Sequence, residues 1–483
     1  MKKILIIQFF IWCTCITYGQ DKPSDITLYS DVVEVVLLQP TGKTADSLPE
    51  MRVLPDTSEL YRKTMLTIKN SFVNEFLDLY FIVQVYLKNN NKSDIIEPAY
   101  LALTENQGGF AKFGFSLLEE GNTTLMPKTP YVDITVGQAT GPPNKLMSFT
   151  QLYPHEMGHV FFHLLSPEDS VSNNTKNVNM HFFSLITDYS TAFNEGFAEH
   201  IENVSRTYEK NEDIKAGVLA DLDKIENSSV QSINGFERDF TYPFRMGYYK
   251  ASMLNRYQKY EDYKRHRYAF NGAIRYKNKT LNTSKIEDQL TFRNSGVGLD
   301  TTQKRNLVQL HSTEGAISSF FTHLTTSELQ NHYLDSAFYV PFYNGSDTTV
   351  LKSPRDVFTP FQNQFIKYFF VLHNYVVFNN SSKSQLADFI DGYIQSFPTE
   401  ASSVRKIFKR SLGTEYSNEI PPPIWLLIKN HTHRLVVFDP FDAISVPLYT
   451  FDLNAAEVED LQTIKGITPE AAEKIVKYRT VPG

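Results

Sequence analysis

The spacing of apolar residues divides the chain into a sheet-forming first part and a helical second part. Residues 31–41 (DVVEVVLLQPT) form an apolar run of strand length. Residues 108–118 (GGFAKFGFSLL) and 131–137 (YVDITVG) alternate as strands do, with Gly108-Gly109 and Gly121-Asn122 as turns. Residues 58–88 are apolar at mixed spacing and fit a helix or paired strands equally well. Residues 21–149 are therefore expected to form a mixed, sheet-bearing lobe.

From about residue 150 the period becomes helical. Helical stretches at 152–165, 181–210 and 242–270 are separated first by a polar loop at 166–179. Residues 365–378 (FIKYFFVLHNYVVF) are too short to span a bilayer and carry Lys367 and His373, so they predict a buried helix. Leu386, Phe389, Ile390, Tyr393, Ile394 and Phe397 fall on one helical face. Residues 150–418 are thus expected to form a helical region. Pro421-Pro422-Pro423 opens a linker at 419–449 with a short strand-like stretch, RLVVFD. In 450–483, two short amphipathic helices flank Lys465-Gly466-Ile467-Thr468, and Pro469 suits the first turn of the second.

Composition adds three constraints. The chain of 483 residues is 41% hydrophobic and 21% charged, as globular proteins are. Residues 1–20 join a Lys2-Lys3 start to an apolar core and a small-residue site near Gly19, the pattern of a signal peptide for export. Cys13 and Cys15 lie inside that segment, so the mature chain has no thiolate ligand or cysteine nucleophile. Loss of Lys2 and Lys3 takes the formal charge from −7 to −9, which disfavours nucleic acid and anionic lipid as general partners. A periplasmic or extracellular protein without a membrane span is expected.

The candidate chemistry lies in 151–165 (QLYPHEMGHVFFHLL). Residues four apart share a helix face, so His155 and His159 can aim imidazole nitrogens at one ion. Glu156 sits beside the first, angled toward a water on that ion. Two imidazoles and a carboxylate suit zinc and leave a fourth position open for chemistry. His163 is on the same face. A helix rises about 6 Å per four residues, so three histidines over two turns cannot reach one ion. The better third ligand is Glu195 in TAFNEGFAEHIE, a carboxylate at the edge of an apolar face formed by Phe193, Phe197 and Ala198.

HEMGH followed by NEGFAEH resembles the gluzincin metallopeptidases, whose aminopeptidase N-like members carry H-E-x-x-H and then N-E-G-F-A. The likeness covers residues 155–202. It implies zinc on His155, His159 and Glu195, with Glu156 as general base. The gap from His159 to Glu195 is longer than in those relatives. The G-x-M-E-N stretch that grips a substrate amino terminus is absent, so aminopeptidase activity is not implied. The resemblance also implies a Tyr or His donor beyond the third ligand; residues 239–254 offer Tyr242, with Tyr248 behind it, and Arg245 as a substrate-carboxylate or salt-bridge partner. Glu199 and Asp188 could orient the ligand histidines. A sheet ahead of the motif helix would offer an edge strand to an extended peptide.

Residues 461–479 resemble helix-hairpin-helix modules. Gly466 matches the first glycine of their G-x-G turn, but Thr468 replaces the second and Pro469 has no N–H to give a phosphate. Acidic neighbours offset Lys465, Lys474, Lys477 and Arg479. Docking to a protein partner, or a structural role, fits the hairpin better than DNA binding. The expected fold is α+β: a gluzincin-like catalytic domain, built from a sheet-bearing N-terminal lobe and a helical lobe, plus the small hairpin. The expected function is zinc-dependent hydrolysis of a peptide or protein substrate. A zinc-stabilised non-catalytic scaffold and a secreted DNA-binding protein are the alternatives.

Overall fold

The computed structural model describes residues 35–105, 108–145, 148–166, 188–227, 307–378 and 383–419, with short strands within 275–304 and 425–447 and helices at 458–462 and 467–479. The signal peptide expected at 1–20, the polar loop expected at 166–179, the helical reading at 242–270 and the RLVVFD stretch all lie outside these residues, apart from Ser166, which caps the helix before it.

Five strands open the fold: β1 (Val35–Ala45), β2 (Leu48–Val53), β3 (Ala99–Thr104), β4 (Phe110–Glu119) and β5 (Asn122–Thr135). They close into a barrel in the order β1-β2-β4-β5-β3. Two hairpins are local. Asp46 and Ser47 turn β1 into β2, and Glu120 and Gly121 turn β4 into β5, each pair with both φ positive, as the twist of a tight hairpin requires. The second turn is one residue earlier than the glycine alone suggests. Parallel pairing of β3 with β1 and with β5 closes the ring, so an expected sheet is instead a small barrel. Leu38, Met51, Tyr100, Ala102, Phe115 and Tyr131 form one apolar cluster of these strands, while Val35, Leu37, Leu101, Leu103, Val132 and Ile134 join the main core.

Between β2 and β3 the ambiguous stretch is helical: α1 (Glu59–Lys69), capped by Ser58, and α2 (Val73–Asn89). Nearly every residue of α2 is buried, which erases the amphipathic period that would have marked it as a helix. After α3 (Val136–Thr140) comes α4 (Phe149–Leu165), which packs on α2, on β4 and β5, and on α5 (Tyr189–Thr207). Next are α6 (Glu212–Asn227), α7 (Leu307–His311), α8 (Glu314–Thr325), α9 (Ser336–Tyr339), α10 (Pro360–Tyr375), α11 (Gln385–Ser396) and α12 (Ala401–Leu412). Helix α10 is the expected buried helix, and its Lys367 is neutralised inside the core by Glu400 at 2.6 Å. On α11, Leu386, Phe389, Ile390 and Tyr393 are all fully buried, as their spacing requires. The chain is a mixed helix and sheet protein.

Candidate metal centre

Helix α4 carries Pro154 within its second turn, where the ring removes the N–H that would bond to the Thr150 carbonyl. The Ser205 hydroxyl of α5 donates to the Glu202 carbonyl at 2.8 Å and stands 3.4 Å from that Thr150 carbonyl, and the helix continues through the proline. Two glycines of the motifs are contact points. A Cβ on Gly158 would come within 2.9 Å of the Ala198 Cα on α5, and one on Gly196 within 2.7 Å of the Glu314 carbonyl and the Ile317 Cβ on α8. The absence of side chains there lets α4, α5 and α8 approach closely. Behind the site, the Phe162 ring lies 4.8 Å from Phe197 and 5.4 Å from Phe193, fixing the rotation of α5 against α4.

That rotation brings Glu195 to the two histidines. Its Oε2 lies 3.8 Å from His155 Nε2 and 3.6 Å from His159 Nε2. Ligands of a tetrahedral zinc at about 2.0 Å stand roughly 3.3 Å apart, so the two Glu195 distances lie within about half an ångström of that spacing. His155 is buried, whereas the His159 and Glu195 side chains retain 15% and 17% exposure, so water reaches part of the group. His163 does not join them. Its ring stacks on Phe113 at 3.8 Å, and its Nε2 donates to the Lys128 carbonyl at 3.3 Å.

The far nitrogens of the ligand histidines are held as well. His159 Nδ1 stands 3.0 Å from Asn194 Oδ1, an oxygen that can only accept, so Nδ1 carries the proton and the Nε2 lone pair points toward the ion position. His155 Nδ1 faces the fully buried Glu202 at 3.6 Å. Glu199 belongs to the same group: His155, Glu199 and Glu202 have one donor atom each within 4.8 Å of one another. Sequence reasoning singled out Glu199 and missed Glu202 and Asn194. Glu202 follows Glu195 by two helical turns, and that spacing was the available signal. Asp188 has a different position. It is the N-cap of α5, where its carboxylate accepts from the Thr191 backbone N–H at 2.8 Å and from the Thr191 hydroxyl at 2.6 Å. Tyr242, Tyr248 and Arg245 lie outside the described residues.

Glu156 is buried, and its carboxylate accepts the Ala111 backbone N–H of β4 at 2.8 Å. Burial is the leading influence on its pKa and raises it; His155 and His159 act downward, Glu195 upward, and the Ala111 N–H downward. A carboxyl group moved toward neutrality beside a metal position is suited to taking and returning protons. Strand β2 pairs with β4 only over Ser116–Leu118, so among the described residues the β4 edge near Ala111 faces the site rather than another strand.

A family profile described as a helix-hairpin-helix motif matches residues 449–483. No curated protein and no solved structure matches the chain. The chain carries a helix-hairpin-helix motif. Within it, α13 (Val458–Gln462) and α14 (Pro469–Arg479) pack through the buried Leu461 and Ala472. Thr468 caps α14 by accepting from the Ala471 N–H at 3.2 Å, with Pro469 in the first turn. Gly466 and Lys465 lie outside the described residues. No described helix is long and apolar enough to cross a membrane.

Proposed function

We propose that this protein is an exported zinc-dependent peptidase of gluzincin type. One observation carries the reading: a histidine pair on α4 and a carboxylate on α5 converge close to zinc-ligand spacing, with the buried Glu156 beside them and part of the group reached by water. His155, His159 and Glu195 hold the ion. When bound, zinc supplies Lewis acidity, which makes water acidic near neutral pH and polarises a carbonyl. Glu156 takes the proton of the attacking water and passes it to the departing amine. Asn194 and Glu202 keep the imidazoles turned toward the ion. An extended substrate lies along the β4 edge, where backbone groups orient it independently of its side chains. Export rests on the apolar leader at residues 1–20.

The test separates catalysis from mere metal binding. Wild-type protein is expected to hold about one zinc and to cleave a peptide library. Glu156→Gln should retain the zinc and lose activity by at least about 100-fold. Glu195→Ala should lose the zinc. A zinc-loaded wild type that cleaves no peptide would leave the scaffold reading standing instead.

A further inference from the structure

Strand β4 does more than offer an edge. It runs along α4, with Ala111 at Glu156 and Phe113 at His163, one helical turn beyond the ligand His159. Between Phe113 and Phe115 the β4–β5 register shifts, and the intervening Gly114 has φ +81°. The surplus residues lie on β5, where Pro127, Lys128 and Thr129 face the single position of Gly114. The position admits no side chain in any case, because a Cβ on Gly114 would meet the Pro127 carbonyl at 2.8 Å. The Phe113 ring lies on the His163 imidazole at 3.8 Å and 25° and still keeps 39% of its surface in water. Phe110, three residues upstream on the same strand, is 54% exposed. Of the two, Phe113 stands on His163 beside the backbone segment that touches Glu156, and a half-exposed aromatic ring in that place is what a subsite for an apolar side chain requires.

We infer that the stacked Phe113–His163 pair is the wall of a specificity subsite, selecting peptides with an aromatic or bulky aliphatic residue close to the scissile bond. The inference deepens the peptidase reading and rests on it. His163 acts here as a platform, which accounts for a third histidine on the ligand face that cannot reach the ion. Its Nε2 bond to the Lys128 carbonyl on β5 holds the imidazole flat under the Phe113 ring. The stack belongs to the side-chain recognition of substrate and takes no part in proton transfer.

The experiment compares zinc-loaded wild type, Phe113→Ala and Phe113→Leu on a library of peptides randomised around the cleaved bond. The wild type is expected to favour Phe, Tyr, Leu or Met over Ala at one position within two residues of that bond. Phe113→Ala should lower kcat/KM for those peptides about tenfold more than for peptides with Ala at that position, and keep the zinc content. Phe113→Leu should restore much of the preference and shift it from aromatic to aliphatic residues. An independent readout is calorimetric binding of two dipeptide hydroxamates, one with a benzyl and one with a methyl side chain. The benzyl compound should bind about tenfold tighter to wild type and equally tightly to Phe113→Ala. Cleavage without apolar preference, or an equal loss on all peptides in Phe113→Ala, overturns the subsite and leaves the peptidase intact. No cleavage by zinc-loaded wild type overturns both.

Discussion

On the proposed reading, the Asn194 amide and the Glu202 carboxylate, which face the outer nitrogens of His159 and His155, set how the two imidazoles present themselves to an ion. Asn194→Ala removes the acceptor 3.0 Å from His159 Nδ1. The imidazole can then adopt the wrong tautomer, and zinc affinity is expected to fall by about 10–100-fold. Glu202→Gln should produce a fall of similar size through His155. Competition with a fluorescent chelator measures both, and unchanged affinity in both variants would show that the ring orientations are set by packing alone. The convergence of His155, His159 and Glu195, with Glu156 beside them, was legible in the sequence because their relation is periodic: His155, Glu156 and His159 within one helical turn, Glu195 on a second motif. Asn194 and Glu202 were not, because a hydrogen bond to an outer nitrogen depends on how α5 is rotated against α4. Asp188 was assigned to the histidines although its position pointed elsewhere. An aspartate directly ahead of a helical run is an N-cap by position, and its two contacts with Thr191 bear this out.

At the scale of elements, the site depends on how closely three helices approach. Gly158 and Gly196 each sit where a neighbouring helix leaves no room for a methyl group. At Gly196 the obstacle includes backbone, the Glu314 carbonyl at 2.7 Å, so relief requires α8 to move as a whole. Gly196→Ala should therefore cost about 1–3 kcal/mol in urea-induced unfolding and lower zinc affinity, since Glu195 is the adjacent residue. Gly158→Ala also meets backbone, the Ala198 Cα at 2.9 Å, with the Ile201 methyl at 3.1 Å, and should cost a similar amount. If both variants unfold at the wild-type urea concentration, the helix spacing is not what these glycines secure. Such crossings are hard to read from a sequence. A glycine in a helix looks only like a local defect, and the residue it makes room for can be more than a hundred positions away. Helix α2 was hidden for a related reason: burial on all sides removes the polar face that defines a helical period. The amphipathic α11, by contrast, was placed residue by residue.

The whole molecule combines local and distant pairings, and only the local ones were written in the chain. The β4–β5 hairpin could be read from its turn and alternation, whereas the β1–β2 turn at Asp46-Ser47 was not read, and barrel closure depends on parallel pairs such as Val35 with Ala99 and Leu101 with Val132, which no local pattern announces. The helical core has its own dependence on conditions, through histidines that have no part in the metal centre. His200, His311 and His323 are buried, with Nδ1 atoms at the Phe197 carbonyl, the Ser384 hydroxyl and the Ser411 hydroxyl. Burial disfavours the imidazolium and lowers their pKa values to about 3, about 3 and about 4, with Arg410 adding to the effect at His323. In the unfolded chain the same groups titrate near 6.5. Below that pH the unfolded state binds more protons than the folded one, so their contribution is fully present above pH 6.5 and is lost as pH falls toward 3–4. At pH 5 a histidine moved from 6.5 to about 3 has given up about 2 kcal/mol. A single substitution isolates this from the titration of carboxylates. His311→Gln keeps a polar partner for Ser384 but cannot become charged. It should be less stable than wild type at pH 7, and the difference should shrink or reverse by about 2 kcal/mol between pH 7 and pH 5 in urea titrations. A gap that stays constant over that interval would mean that His311 keeps its ordinary proton affinity within the core.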